Sequence, residues 1–210
     1  MHASHYDSLE RQARAAKLGM WVFIASETLF FAGLFALYGA YRLQSSDAFH
    51  RGIAHNNLLL GTINTVVLLT SSCTVALGVE YLENGRRRHA TRMIQLSIAL
   101  ACAFLIVKGY EYYEHLRAGI LPGTAGHYFL EAKTEGQGIF FNLYYLLTGV
   151  HALHVIVGGL LLSWIGFRLR KSASPTLHVH QFEVVGLYWH FVDVVWLFLW
   201  PLLYLTRGGA

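Results

Sequence analysis

Five stretches of the chain, at about residues 18–41, 58–82, 93–113, 139–167 and 184–205, are apolar almost throughout. Crossing a bilayer takes about 20 such residues in helical form, and each stretch is long enough. Lipid offers no hydrogen bonds, so a spanning segment must pair its backbone polar groups internally as a helix, or laterally in a closed barrel. None of the five shows the apolar–polar alternation and regular turns of a barrel strand. The fold class expected is therefore all-α, a polytopic membrane protein with five transmembrane helices. Composition agrees: 55% of residues are hydrophobic, only 13% are charged, and the mean hydropathy is +0.42.

No linker, low-complexity tract or short repeat divides the sequence, and prolines number only three, so residues 1–210 are expected to form a single transmembrane domain. The leading "MHASHYDSLERQARAAK" mixes both charges and precedes an apolar run too long for a cleavable leader. The first helix is expected to stay in the mature protein.

Basic residues set the expected orientation. With five spans, the N-terminus shares a side with the second and fourth loops, which together hold Arg11, Arg14, Lys17, Arg86, Arg87, Arg88, Arg92, Arg168, Arg170 and Lys171. The other side holds Arg42, Arg51, Arg117, Lys133 and Arg207. That asymmetry predicts a cytoplasmic N-terminus and a C-terminus outside. The net charge of +4 then reports topology, and no nucleic-acid partner is expected. Trp21, Trp164 and Trp189 near inner ends and Trp200 near the outer end fit interfacial anchors. Cys73 and Cys102 fall inside spans without metal-ligand spacing and are expected to be small packing residues.

Polar groups inside the spans carry the functional information. Glu27 lies roughly 14 Å along the first helix from its cytoplasmic end, and Asp193 lies at similar depth in the fifth. His154 is roughly 20 Å from that edge, with His151 about one turn deeper on the same face. His190 and Asp193 are also on one face. Charged groups in lipid are costly, so these five are expected to face inward, pair, or carry a proton. A polar cluster that only fixes helix register is the competing reading for the histidines and Asp193. Lys108 and Glu111, three residues apart near the outer face, are expected to pair and snorkel. His178 and His180 in "LHVHQFE" fit a solvated loop better than a surface metal site.

Three function classes compete on these grounds. A haem-carrying cytochrome would need histidines from two helices converging on one iron, whereas His151 and His154 share a helix and His190 lies nearer the cytoplasmic edge. A proton-linked transporter would show internal repeats or broken helices, and neither is evident. A non-redox subunit of a larger membrane complex fits intact helices with sparse polar groups.

The stretches "KLGMWVFIASETLFFAGLF", "NTVVLLTSSCTVALG", "KGYEYYEH", "GIFFNLYYLLTGVHALHVIVGG" and "VVGLYWHFVDVVWLFLWPLLYL" resemble, in order and over nearly the whole chain, the signatures of subunit III of the haem–copper oxidases. The resemblance is to the five-helix bacterial form, which lacks the first two helices of longer members. It implies a V-shaped bundle with phospholipid in its cleft and a subunit binding no haem or copper itself. Those cofactors belong to partner subunits I and II of a proton-pumping complex that reduces dioxygen to water. It also implies a bacterial inner-membrane location, contact mainly with subunit I, support of proton uptake from the cytoplasmic side, and protection of the active site during turnover.

Carried over residue by residue, Glu27 in "ASETLFF" matches the family's carbodiimide-reactive intramembrane carboxylate, His151 and His154 its helix-4 motif, and His190 and Asp193 its "WHFVD" motif. These are implied to be structural and proton-linked positions, none of them catalytic or metal-binding. Quinol-oxidising relatives often carry Asp where this chain has Glu27, which tilts the implied electron donor to cytochrome c. A quinol-oxidase subunit and a homologue associated with nitric-oxide reduction remain within the same fold. Trp21 with Arg14, Lys17 and Arg168 at cytoplasmic helix ends is the expected lipid headgroup contact.

Overall fold

The computed structural model describes residues 3–121, 136–171 and 178–206, the backbone alone up to residue 10. Five long helices account for nearly all of them: α1 (Ala3–Gln44), α3 (Leu58–Glu83), α4 (Arg87–Arg117), α5 (Gln137–Lys171) and α6 (Val179–Trp200), which runs on into a π-helical turn, Pro201–Leu205. All five are long and apolar enough to span a membrane. Most outrun their apolar cores at one end or both, because polar residues beyond the hydrocarbon extend a helix at little cost. Lys133 and Arg207, counted among the outer-side cations, lie outside the described residues.

One element was not legible from run length. α2 (Ser46–His55) is a short amphipathic helix in the first connection, burying Ala48, Phe49, Gly52 and Ile53. Its four charged or histidine positions make the segment read as a polar loop, yet its period of three to four residues places Ala48, Phe49 and Ile53 on one face, leaving only Ala54 among its apolar side chains exposed.

α3 and α4 form the tightest pair. Their turn closes at Gly85, whose φ of 71° suits a residue without a side chain, and Arg86 N–H returns to the Tyr81 carbonyl at 2.8 Å. Asn57 caps the other end of α3, its side-chain oxygen accepting from the Leu59 and Leu60 amides at 3.0 and 3.3 Å. Between the two helices, Ser71, Thr74 and Ser97 are buried, and Thr74 Oγ1 lies 2.7 Å from Ser97 Oγ. Small hydroxyl side chains let the backbones approach and bond across the interface, which matters where lipid supplies no hydrophobic drive.

α6 is the most buried span and α1 the least. Trp189 of α6 packs flat against Gly158 of α5, where an added Cβ would lie 2.6 Å from the indole. Trp189 is fully buried, so it is a packing residue and not the interfacial anchor its position suggested. Trp21 and Trp164 do face outward. Cys73 and Cys102 are exposed on the bundle surface, also contrary to expectation: both lie on helix faces turned from the neighbouring helices.

The C-terminal end of α6 is fastened from three directions. Pro201 has no N–H and cannot continue the ordinary ladder, which is where the helix widens. The carbonyls of Leu202 and Leu203 then accept from Tyr38 Oη of α1 and Asn56 Nδ2, both at 2.8 Å, and His50 Nδ1 donates to the Thr206 carbonyl at 3.1 Å.

Candidate functional site

Glu27 and His154 meet between α1 and α5. Glu27 Oε2 is 3.2 Å from His154 Nε2, with the side chains 22% and 15% exposed. The other ring nitrogen, Nδ1, lies 2.9 Å from the Val150 carbonyl, an oxygen that can only accept, so Nδ1 carries the proton. That constrains what lies across the gap to Glu27: a carboxyl donating to a neutral Nε2, or a carboxylate accepting from an imidazolium. A hydrogen bond across that gap therefore requires a proton between the two groups. Phe31 sets its ring edge-on to the imidazole at 5.4 Å, and Tyr188 of α6 donates to the His154 carbonyl at 3.1 Å. Aromatic walls on two sides thus fix the ring while one edge of the pair stays open to the bundle exterior.

The remaining members of the expected cluster lie elsewhere. His190 is bonded to Ser72 of α3, with 2.6 Å between Nδ1 and Oγ, and the buried Asp193 lies on the same part of α6 beside that serine. His151 is fully buried, with Phe104 and Trp196 rings 5.6 and 5.1 Å away and no hydrogen-bond partner for either nitrogen among the described residues. The five residues therefore form three separate sites. His151 and His154 share a helix face, but three residues leave an offset of about 60° around the axis, and with α1 packed at one side of that face this turns His151 to the core and His154 to Glu27.

A fourth polar group was undervalued. Lys108 and Glu111 do pair, at 2.8 Å, but they turn inward and do not snorkel: each is 3% exposed. Lys108 Nζ also donates to Tyr144 Oη at 2.8 Å and Tyr204 Oη at 2.7 Å, and Tyr204 Oη donates in turn to the Glu111 carboxylate at 2.8 Å. All three ammonium protons are used. Its rings also surround the cation, the Tyr144 centroid lying 4.6 Å from Nζ. A buried charge in "KGYEYYEH" is foreseeable only if the tyrosines of α5 and the π turn are known to converge on it.

At the basic end of the bundle, Lys17 is engaged by Glu183 at 2.9 Å. Arg14 lines a cavity of about 270 Å³ with Lys17, His180 and Glu183. Arg168 lies over the Trp164 ring at 4.4 Å and reaches Gln181, while Trp21 stands 57% exposed on α1. The expected headgroup residues thus divide between two places. His178 and His180 sit at the start of α6, His178 against Gln181 and His180 against Glu183. Among the described residues, no group of three or more His, Cys, Asp or Glu is placed to hold a metal ion.

Set beside known proteins, the chain matches the family model of cytochrome c oxidase subunit III over residues 4–207. It is 32% identical over 192 residues to cytochrome c oxidase subunit 3 of Corynebacterium diphtheriae, covering 90% of this chain and 87% of that one. Cytochrome c oxidase subunit 3 of Neotragus moschatus is 33% identical over 197 residues, 91% of this chain and 69% of the relative.

Proposed function

The chain belongs to the cytochrome c oxidase subunit III family, and from that premise we propose that it is the non-redox third subunit of a proton-pumping haem–copper oxidase. In this reading it binds chiefly to subunit I, with subunit II nearby, in a bacterial inner membrane, N-terminus cytoplasmic. Haem and copper reside in those partners, cytochrome c is the donor, as the relatives' names suggest, and bound phospholipid completes the subunit. Its contribution is to hold subunit I in its working form and to support proton uptake from the cytoplasmic side.

The observation that carries this reading is the Glu27–His154 pair. It lies on the least covered helix of the bundle, with an edge open to whatever packs there, and in this reading it holds one proton within the membrane. A carboxyl–imidazole pair so placed can pass a proton to a neighbouring subunit without a titrating group of this chain crossing lipid.

The test is to purify the protein from its native membrane through a C-terminal tag and record the reduced-minus-oxidised spectrum and oxygen consumption before and after stripping this chain. Co-purifying haem bands that stay with the other subunits, together with turnover that becomes self-limiting once the chain is gone, are the expected result. Glu27→Gln in the intact complex should reproduce part of that self-limitation. Absence of any haem protein in the preparation would overturn the proposal.

A further inference from the structure

Two cavities at the basic end of the bundle, lined by described residues, differ in a way that the oxidase reading does not use. The one beside α1 contains its own counter-charge, Glu183 being 2.9 Å from Lys17. The other, about 430 Å³, is lined by Arg87, Arg88, Thr91, Arg92, Gln95 and Arg170, four cations without an acidic residue among the lining. It lies where the first turns of α4 meet the last turn of α5.

The walls of this second cavity are tied together. Arg87 donates through Nη2 to the backbone carbonyl of Arg170, joining α4 to α5, and the Thr91 hydroxyl donates to the Arg87 carbonyl at 3.0 Å. Arg88, Arg92 and Gln95 follow at helical spacing on one face of α4, so their heads project to the same side. Four like charges gathered around one cavity repel one another, and an anion seated among them relieves that repulsion. Guanidinium groups match phosphate oxygens in geometry as well as charge. The positive end of the α4 macrodipole acts in the same direction. Below the arginines the same face turns apolar, with Leu96 one turn beyond Arg92 and Ile106 further down, both exposed.

We propose that Arg88 and Arg92, with Arg87 and Arg170 behind them, form a binding site for a phosphate-bearing anion. The apolar strip directly beneath favours the headgroup of an anionic phospholipid as its source over a soluble phosphate. This site is distinct from the cavity lined by Arg14 and Lys17, and it depends only on the residues of α4 and α5.

The experiment uses the full chain purified in mild detergent, with phosphatidylglycerol, phosphatidylcholine and inorganic phosphate as probes. Native mass spectrometry reads lipid retention, and thermal unfolding reads phosphate binding. Phosphatidylglycerol should be retained in preference to phosphatidylcholine, and Arg88→Gln with Arg92→Gln should cut that retention by about a hundredfold, about tenfold per arginine, while Arg117→Gln, at the opposite end of α4, leaves it unchanged. A stabilising shift in inorganic phosphate that the double variant abolishes, without lipid preference, would support the site and assign it to a soluble ligand. Equal retention of both lipids combined with no phosphate shift in the unsubstituted protein would overturn the proposal, even if the double variant failed to fold. So would retention that survives the double substitution.

Discussion

Lys108 and Glu111 form an ion pair buried at 3% exposure on both sides, closed by Tyr204, which accepts from the ammonium and donates to the carboxylate. Taking two charges from water is costly, and the pair persists because every proton of the ammonium has an acceptor. It ties α4 to α5 through Tyr144 and to the end of α6 through Tyr204. Lys108→Met is expected to destabilise the protein by about 3–5 kcal/mol, because it strands the carboxylate, whereas Lys108→Met combined with Glu111→Leu should recover most of that loss. Thermal unfolding of the four members of the cycle in detergent checks this, and additive single-variant losses would contradict it.

Gly158 and Gly159 are neighbours with opposite expected responses. A Cβ at Gly158 would lie 2.6 Å from Trp189, a fully buried ring with no room to retreat, while nothing lies within 4 Å of a Cβ at Gly159. Gly158→Ala should cost about 1–3 kcal/mol through overpacking. Gly159→Ala should be neutral or stabilise by up to about 1 kcal/mol through helix propensity. Melting temperatures of the two variants, with tryptophan emission as a probe of Trp189, decide the matter.

The Glu27–His154 pair makes a spectroscopic prediction. If one proton is shared across the 3.2 Å contact, the infrared carboxyl or carboxylate band of Glu27 should shift when His154→Ala removes the partner. The band should vanish from the difference spectrum in Glu27→Gln. An unchanged band in His154→Ala would mean that the contact does not couple the two groups.

At the C-terminal end of α6, Tyr38→Phe removes the donor to the Leu202 carbonyl and should cost about 1 kcal/mol. Because the π turn has few bonds of its own ladder to fall back on, amide exchange at residues 202–206 should accelerate while the centre of α6 stays protected. Uniform acceleration along α6 would show that the fastening is not local.

Run length and charge distribution by themselves determined the class of this protein. Five apolar segments without strand alternation leave no alternative to helices in lipid, and the placement of arginines at alternate ends follows from the same pattern. Short-range geometry also made the Lys108–Glu111 pairing legible, since three residues on a helix bring side chains together. Where those groups point was decided only by tertiary structure. A helix in lipid has no polar face that must meet water, so periodicity does not tell inward from outward: Lys108 and Trp189 turned in, Cys73 and Cys102 turned out. Glu27 was recognisable as costly, but its partner His154 is 127 residues away and was one of several histidines at comparable depth. The choice among them rests on the rotation of α5 against α1, which Phe31 and Tyr188 set by packing. The separation of the expected cluster into three sites has the same cause, because each polar group bonds to whichever helix faces it.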